Sequence, residues 1–260
     1  QQGGGNAQYA ARQLSRHAKV NRRGFLASGC ACGALLARAA AYAQNDWHAP
    51  ARLTRPDIAT DEGGLWALMD REETRMRRSP FALRDPQLHD YVQGIACRLA
   101  GEHCPDIRVY VVQTPVFNAN MAPNGMMQVW TGLLLRVENE AQLAAILGHE
   151  IGHYMARHTV ERMRDVKSRA AFGQFLSLFG VYGQVGQLAV LASLFAYSRD
   201  QEREADRIGS VLMREAGYDP AEAPKVWGNL LLEIKARPDS DPSRTSPMFA
   251  THPSPLERQD

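Results

Sequence analysis

Two histidines one helical turn apart, with a glutamate beside the first, are the residues of this sequence best suited to metal chemistry. His149 and His153 are four positions apart, so on a helix both imidazoles lie on one face and can bind a single ion. Glu150 then lies next to that ion, where a carboxylate can take a proton from an activated water. Two surface or core histidines on an amphipathic helix would show the same spacing. A third ligand elsewhere in the chain is therefore needed to distinguish a metal site from this alternative.

A pair of carboxylates later in the chain offers this ligand. Glu202 and Asp206 are four positions apart and share a helix face, whereas Glu204 points in roughly the opposite direction. We therefore predict that Glu202 is the third metal ligand and that Asp206 orients a ligand histidine. A charged, solvent-exposed helix is the alternative interpretation, and the neighbouring Arg203 and Arg207 are compatible with it.

The metal-binding pattern carries a resemblance to a known family. HExxH followed by E-x-x-x-D resembles the gluzincin pattern, and the chain is similar to the HtpX and CAAX-prenyl-protease family of zinc metallopeptidases, most closely to its periplasmic, BepA-like members. The resemblance runs from about Asp85 to Glu257. The segments that carry it are Phe117–Leu135, Leu147–His153 and Ser198–Gly209. It implies one Zn²⁺ per chain, held by His149, His153 and Glu202, with Glu150 as the general base.

Two further expectations come from the resemblance alone. The hairpin arm formed by Met127, Gln128, Val129 and Trp130 is expected to be the sheet edge on which a substrate peptide lies. His252 is expected to approach the metal and to occupy the water position reversibly, which would make the enzyme latent; an exposed loop histidine is the alternative.

The elements that must position these residues are mostly helical. Apolar periodicity predicts helices over residues 65–77, 87–100, 200–215 and 221–236, and a further helix that begins after an N-cap at Asn139 and carries His149. Gly148 and Gly152 within that last helix predict close packing against another backbone, and His158 is expected to be exposed. Strands are predicted over residues 108–113 and 126–131, with 117–121 as a candidate third. The predicted fold is α+β, mostly helical, with a gluzincin-type metal helix and a small, partly antiparallel sheet.

The N-terminal residues have the composition of an export signal. Residues 1–43 hold six basic and no acidic residues, which leaves 24 basic and 28 acidic residues in the rest of the chain. Arg22-Arg23 resembles a twin-arginine motif, an apolar run follows, and Ala41-Tyr42-Ala43 is a candidate cleavage site. We predict a signal segment over 1–43, an extended lead-in over 44–60 and a metallopeptidase domain over 61–260. A basic N-terminal arm, or a lipid anchor at Cys30, are the alternatives.

Two other segments allow more than one interpretation. Cys97 and Cys104 could form a disulfide in an oxidising compartment or remain buried thiols. Residues 170–198 have no charge, and glycines and glutamines interrupt them. We expect two amphipathic helices that partly cover the active-site cleft, with peripheral membrane contact and a membrane span as alternatives.

The sequence therefore predicts a zinc metalloendopeptidase of the bacterial periplasm, and the resemblance implies that it degrades misfolded or misassembled polypeptides. The second hypothesis is a latent protease that binds client peptides as a chaperone does, and the third is a purely structural zinc site. Three protein ligands beside a glutamate argue against the third, because structural zinc usually has four. The chain after residue 43 has no basic stripe, so nucleic acid is not an expected partner. The oligomeric state is left open.

Overall fold

The computed structural model describes residues 47–165, 197–236, 248 and 251–252. The chain divides into two units, residues 1–48 and residues 49–260, and the second holds nearly all of the described residues. The predicted signal over 1–43 and nearly all of the predicted lid over 170–198 lie outside the described residues.

Helices make up most of the described residues of the second unit, as predicted. They are α1 (Asp61–Arg78), α2 (Pro86–Ala100), α3 (Thr131–Leu134), α4 (Glu140–Met155), α5 (His158–Asp165), α6 (Arg199–Glu215) and α7 (Glu222–Lys235), with a 3₁₀ helix over Gly101–Asp106. No helix among the described ranges combines the length and the apolar character needed to cross a lipid bilayer.

Side chains at the helix starts satisfy backbone N–H groups that the helices themselves leave without a partner. The Asn139 side chain accepts from the Gln142 N–H at 2.9 Å, which confirms the predicted N-cap of α4. Ser198 and Gln201 form a capping box at the start of α6, each side chain accepting from the other's backbone. The two helices that carry the candidate ligands therefore begin at positions that local sequence specifies.

Three strands form one mixed sheet in the order β1 (Arg108–Val112), β3 (Met126–Trp130), β2 (Ala119–Met121). β1 pairs with β3 in parallel and β2 pairs with β3 antiparallel. Gly125, with φ of 87°, makes the turn that reverses the chain between β2 and β3. A mostly helical α+β fold with a small, partly antiparallel sheet is therefore confirmed.

The expectation that Met127, Gln128, Val129 and Trp130 form a sheet edge is wrong. These residues belong to the middle strand, and every residue of β3 is buried. The physical reason is that β1 pairs with the side of β3 that the hairpin leaves open. The outer side of β1 is itself bonded, because Leu83 N–H donates to the Val111 carbonyl and Gln113 N–H to the Phe81 carbonyl. Within the described ranges, β2 is the strand at the edge.

A disulfide between Cys97 and Cys104 joins the end of α2 to the 3₁₀ helix. The 3₁₀ helix also contacts the lead-in segment. The His103 ring lies 2.9 Å from the Pro50 carbonyl, and Arg52 pairs with Asp106 at 2.8 Å. These contacts join the start of the second unit to the region beside the sheet.

Helices α4 and α6 cross at glycines, as Gly148 and Gly152 predicted. A Cβ atom at Gly152 would lie 2.8 Å from the Ala205 carbonyl oxygen, and one at Gly209 would lie 3.0 Å from the His149 nitrogen. Larger residues at these two positions would force the helices apart. The close approach brings the carboxylates of α6 within reach of the histidines of α4, and so the glycines determine the size of the site.

Candidate metal centre

Four buried side chains converge on one point between α4 and α6. They are His149, His153, Glu202 and His252, and one donor atom from each lies within 4.8 Å of all the others. The Nε2 atoms of His149 and His153 are 3.0 Å apart, and the Glu202 carboxylate lies 3.4 Å from His153 Nε2. The structure therefore brings the three predicted ligands together and adds the tail histidine to them.

Asp206 contacts His149 from outside this group. His149 Nδ1 lies 2.9 Å from Asp206 Oδ1, while its Nε2 faces the other donors. A carboxylate bonded to Nδ1 places the proton there and leaves Nε2 with a lone pair for a metal. Asp206 thus occupies the position that its spacing from Glu202 predicted.

His158 is buried, which makes the expectation of an exposed side chain wrong. It is 2% exposed, and its Nδ1 lies 2.9 Å from His153 Nδ1. On a continuous helix a residue five positions after His153 would point elsewhere. However, α4 ends at Met155, and Arg157 takes a left-handed conformation with φ of 59° before α5 begins at His158. That reversal directs the His158 ring back towards His153.

Tyr197 packs on the face of the same histidine. Its ring is stacked on the His153 ring with centroids 3.8 Å apart, and its hydroxyl lies 2.9 Å from the Thr159 hydroxyl. The Arg162 guanidinium covers the Tyr197 ring at 4.6 Å. Burial raises the pKa of Tyr197 to about 12, so its hydroxyl stays protonated. Tyr197 is not among the predicted site residues, because its only mark in the sequence is its position directly before the α6 cap.

His252 lies between the candidate ligands and Glu150. Its Nδ1 is 2.9 Å from Glu202 Oε1 and 3.2 Å from His149 Nε2, while its Nε2 is 3.4 Å from Glu150 Oε1. The His252 N–H donates to the Met248 carbonyl, and the Tyr197 N–H donates to the Thr251 carbonyl, both at 2.8 Å. His252 is 3% exposed, so it lies inside the site and is not an exposed loop residue.

The charge states suit a divalent cation. Burial lowers the pKa of His153 to about 3, despite the opposing attraction of Glu202, so its imidazole is neutral at physiological pH. Burial would raise the pKa of Glu202, but the charges and hydrogen bonds of His252, His153 and His149 outweigh it and hold the pKa below its ordinary value. A neutral imidazole at His153 and an ionised carboxylate at Glu202 are donor types that fit zinc.

Comparison with known proteins places this site in a family. A sequence profile of peptidase family M48 matches residues 82–260. The mitochondrial metalloendopeptidase OMA1 of Arabidopsis thaliana is 38% identical over 122 residues, which cover 47% of this chain and 25% of that protein.

Bacterial relatives match a longer stretch. A putative beta-barrel assembly-enhancing protease of Vibrio cholerae is 28% identical over 240 residues, which cover 84% of this chain and 47% of the relative. The beta-barrel assembly-enhancing protease of Yersinia pestis is 28% identical over 230 residues, covering 80% and 46%. The chain spans less than half the length of each of these relatives.

Proposed function

The chain belongs to peptidase family M48, and on that premise we propose that it is a zinc-dependent endopeptidase. The observation that carries the proposal is the convergence of buried donor atoms from His149, His153 and Glu202, with Glu150 on the same helical turn. We assign the first three as ligands of one Zn²⁺ per chain and Asp206 as the residue that orients His149.

Glu150 performs the proton transfers in this proposal. When bound, zinc supplies a Lewis acid for the scissile carbonyl and lowers the pKa of water at its open position. Glu150 accepts the proton of the attacking water and later donates it to the nitrogen of the leaving amine. The carboxylate is 2% exposed, so bulk water competes little for this proton.

An extended substrate segment fits the edge of the sheet at β2. This strand packs against α4, and among the described residues it pairs on one side only, with β3. A peptide that adds to this edge would form backbone hydrogen bonds without regard to its sequence and would run beside the metal helix. Such recognition suits a protease of unfolded polypeptides.

The periplasm is the proposed compartment, and misfolded or misassembled envelope proteins are the proposed substrates. The Arg22-Arg23 motif and the later Ala41-Tyr42-Ala43 site support twin-arginine export. The disulfide between Cys97 and Cys104 suits an oxidising compartment. The bacterial relatives named for beta-barrel assembly support the substrate class.

Metal analysis coupled to proteolysis tests the proposal. We expect about one zinc per chain by elemental analysis, casein cleavage by the purified protein, complete loss of cleavage after chelation, and recovery when zinc is added back. Incubation with chelator followed by an excess of zinc controls for damage by the chelator. Cleavage that persists after the metal has been removed would contradict the proposal.

The second candidate function is a latent protease that mainly binds client peptides. The position of His252 favours it, because this ring supplies a fourth donor to the site and contacts Glu150. We propose that His252 reversibly takes the place of the catalytic water and that its release activates the enzyme. A permanent fourth ligand would instead make the site structural.

His252→Ala separates these cases. For a reversible latch we expect casein cleavage to rise by roughly 2- to 10-fold, because an interaction worth about 0.4–1.4 kcal/mol no longer holds the closed state. Zinc should remain bound. The matched control is Thr251→Ala, which keeps the imidazole and the backbone bond from Tyr197. Loss of zinc with no gain in cleavage would point to a structural site, and no change in either quantity would rule out the latch.

A further inference from the structure

We propose that His158 is a positioning residue for the metal centre, which holds His153 in the tautomer and orientation that zinc binding requires, and that Glu204 completes the relay. This inference rests on the proposed function, since it assumes that His153 is a zinc ligand. It assigns a role to two residues that the mechanism above leaves unused.

The hydrogen-bond geometry specifies the direction of the relay. His153 Nε2 faces the other donors and must carry a lone pair to bind a metal, so its proton is on Nδ1. That N–H has His158 Nδ1 at 2.9 Å as its acceptor. His158 must then carry its own proton on Nε2. This nitrogen lies 3.4 Å from the Glu204 carboxylate, which can accept a long hydrogen bond from it.

The backbone between the two histidines is built for this contact. Arg157 has a φ of 59°, a conformation that residues other than glycine rarely adopt. The turn is held by hydrogen bonds from the Arg157 N–H to the Tyr154 carbonyl and from the Val160 N–H to the Arg157 carbonyl, both at 3.0 Å. Arg157 also forms an ion pair with Glu62. Without this turn, α4 would continue and His158 would point away from His153.

The two ligand histidines thus have outer partners of different kinds. His149 bonds directly to the partly exposed Asp206, whereas His153 reaches its carboxylate through a second imidazole. His158 is 2% exposed, while the Glu204 side chain is 46% exposed. The relay therefore runs from the surface of α6 to the buried ligand. Tyr197 stacks on one face of the His153 ring and so limits its tilt. The hydrogen bond to His158 limits its rotation within the ring plane.

Zinc affinity measured by competition with a chromophoric chelator tests the inference without relying on activity. We expect His158→Ala to weaken zinc binding by about 10- to 100-fold, the usual effect of removing an outer partner of a metal ligand. His158→Asn should stay within about threefold of the unaltered protein, because its Oδ1 can take the place of Nδ1 and accept from His153.

Two variants control for other effects. His103→Ala removes another buried imidazole, one bonded to the Pro50 carbonyl, and should lower the melting temperature without changing zinc affinity. Glu204→Gln keeps an acceptor for His158 Nε2–H without the charge, and should retain most of the affinity. Equal losses in His158→Asn and His158→Ala would show that the ring matters for packing alone and would overturn the positioning role.

The tautomers can also be read directly in the unaltered, zinc-loaded protein. Nitrogen-15 NMR of labelled histidines should place the His153 proton on Nδ1 and the His158 proton on Nε2, a result that does not depend on any variant folding. The opposite tautomer at His158, or unchanged zinc affinity in His158→Ala, would overturn the inference while leaving the proposed enzyme intact. If the unaltered protein binds no zinc, the proposed function itself fails and this inference fails with it.

Discussion

Glu150→Gln is expected to lower kcat for casein cleavage by about 10²- to 10⁴-fold, the range that a positioned acid–base group contributes. Glutamine has almost the same shape but cannot accept a proton from the attacking water. Because Glu150 is not an assigned ligand, zinc content should stay at about one per chain, and thermal stability should change little. Loss of activity with metal retained is the combination that identifies a general base.

Glu161→Gln is the matched control for this substitution. Glu161 is exposed on α5, where it accepts from the Gln201 side chain at 3.0 Å, and glutamine can still accept there. The control should cleave casein like the unaltered protein. If Glu150→Gln also cleaves like the unaltered protein, the peptidase interpretation fails, and the peptide-binding alternative becomes the better account of the site.

Glu202→Ala is expected to weaken zinc binding by more than about 100-fold, beyond the range for losing an outer partner, because the change removes a ligand itself. It also removes the one anionic charge among the four converging side chains, leaving three imidazoles. Since a ligand that binds only the folded state stabilises it, the variant should also lose the rise in melting temperature that zinc produces in the unaltered protein.

Glu215→Ala tests whether the loss of any acidic side chain from α6 would weaken zinc binding in the same way. Glu215 is the last residue of this helix and is exposed. Its removal should leave zinc affinity and the zinc-dependent melting temperature unchanged. Zinc binding by Glu202→Ala that equals that of the control would exclude Glu202 as a ligand and would require another donor in its place.

Local sequence determined the elements that carry the site. The four-residue spacing of His149 and His153, the Asn139 cap and the shared face of Glu202 and Asp206 are all properties of single helices, so periodicity and capping rules were sufficient to predict them. The glycines of α4 also predicted that another backbone packs closely against this helix, but they did not identify the element to which that backbone belongs. Each of these features depends on residues within one or two turns of each other.

Long-range pairing decided the rest. Met127–Trp130 lie in the middle of the sheet because β1 pairs with β3 in parallel, and no local sequence pattern identifies that pairing. The mostly apolar sequence of β3 is nevertheless typical of a strand that is buried on both faces. The burial of His158 depends on a left-handed residue at Arg157, a conformation that arginine does not encode. His252 reaches the centre from about 50 residues beyond Glu202, because the chain returns to the start of α6. Periodicity in the sequence describes which face of an element is buried, but only the packed chain determines what lies against that face.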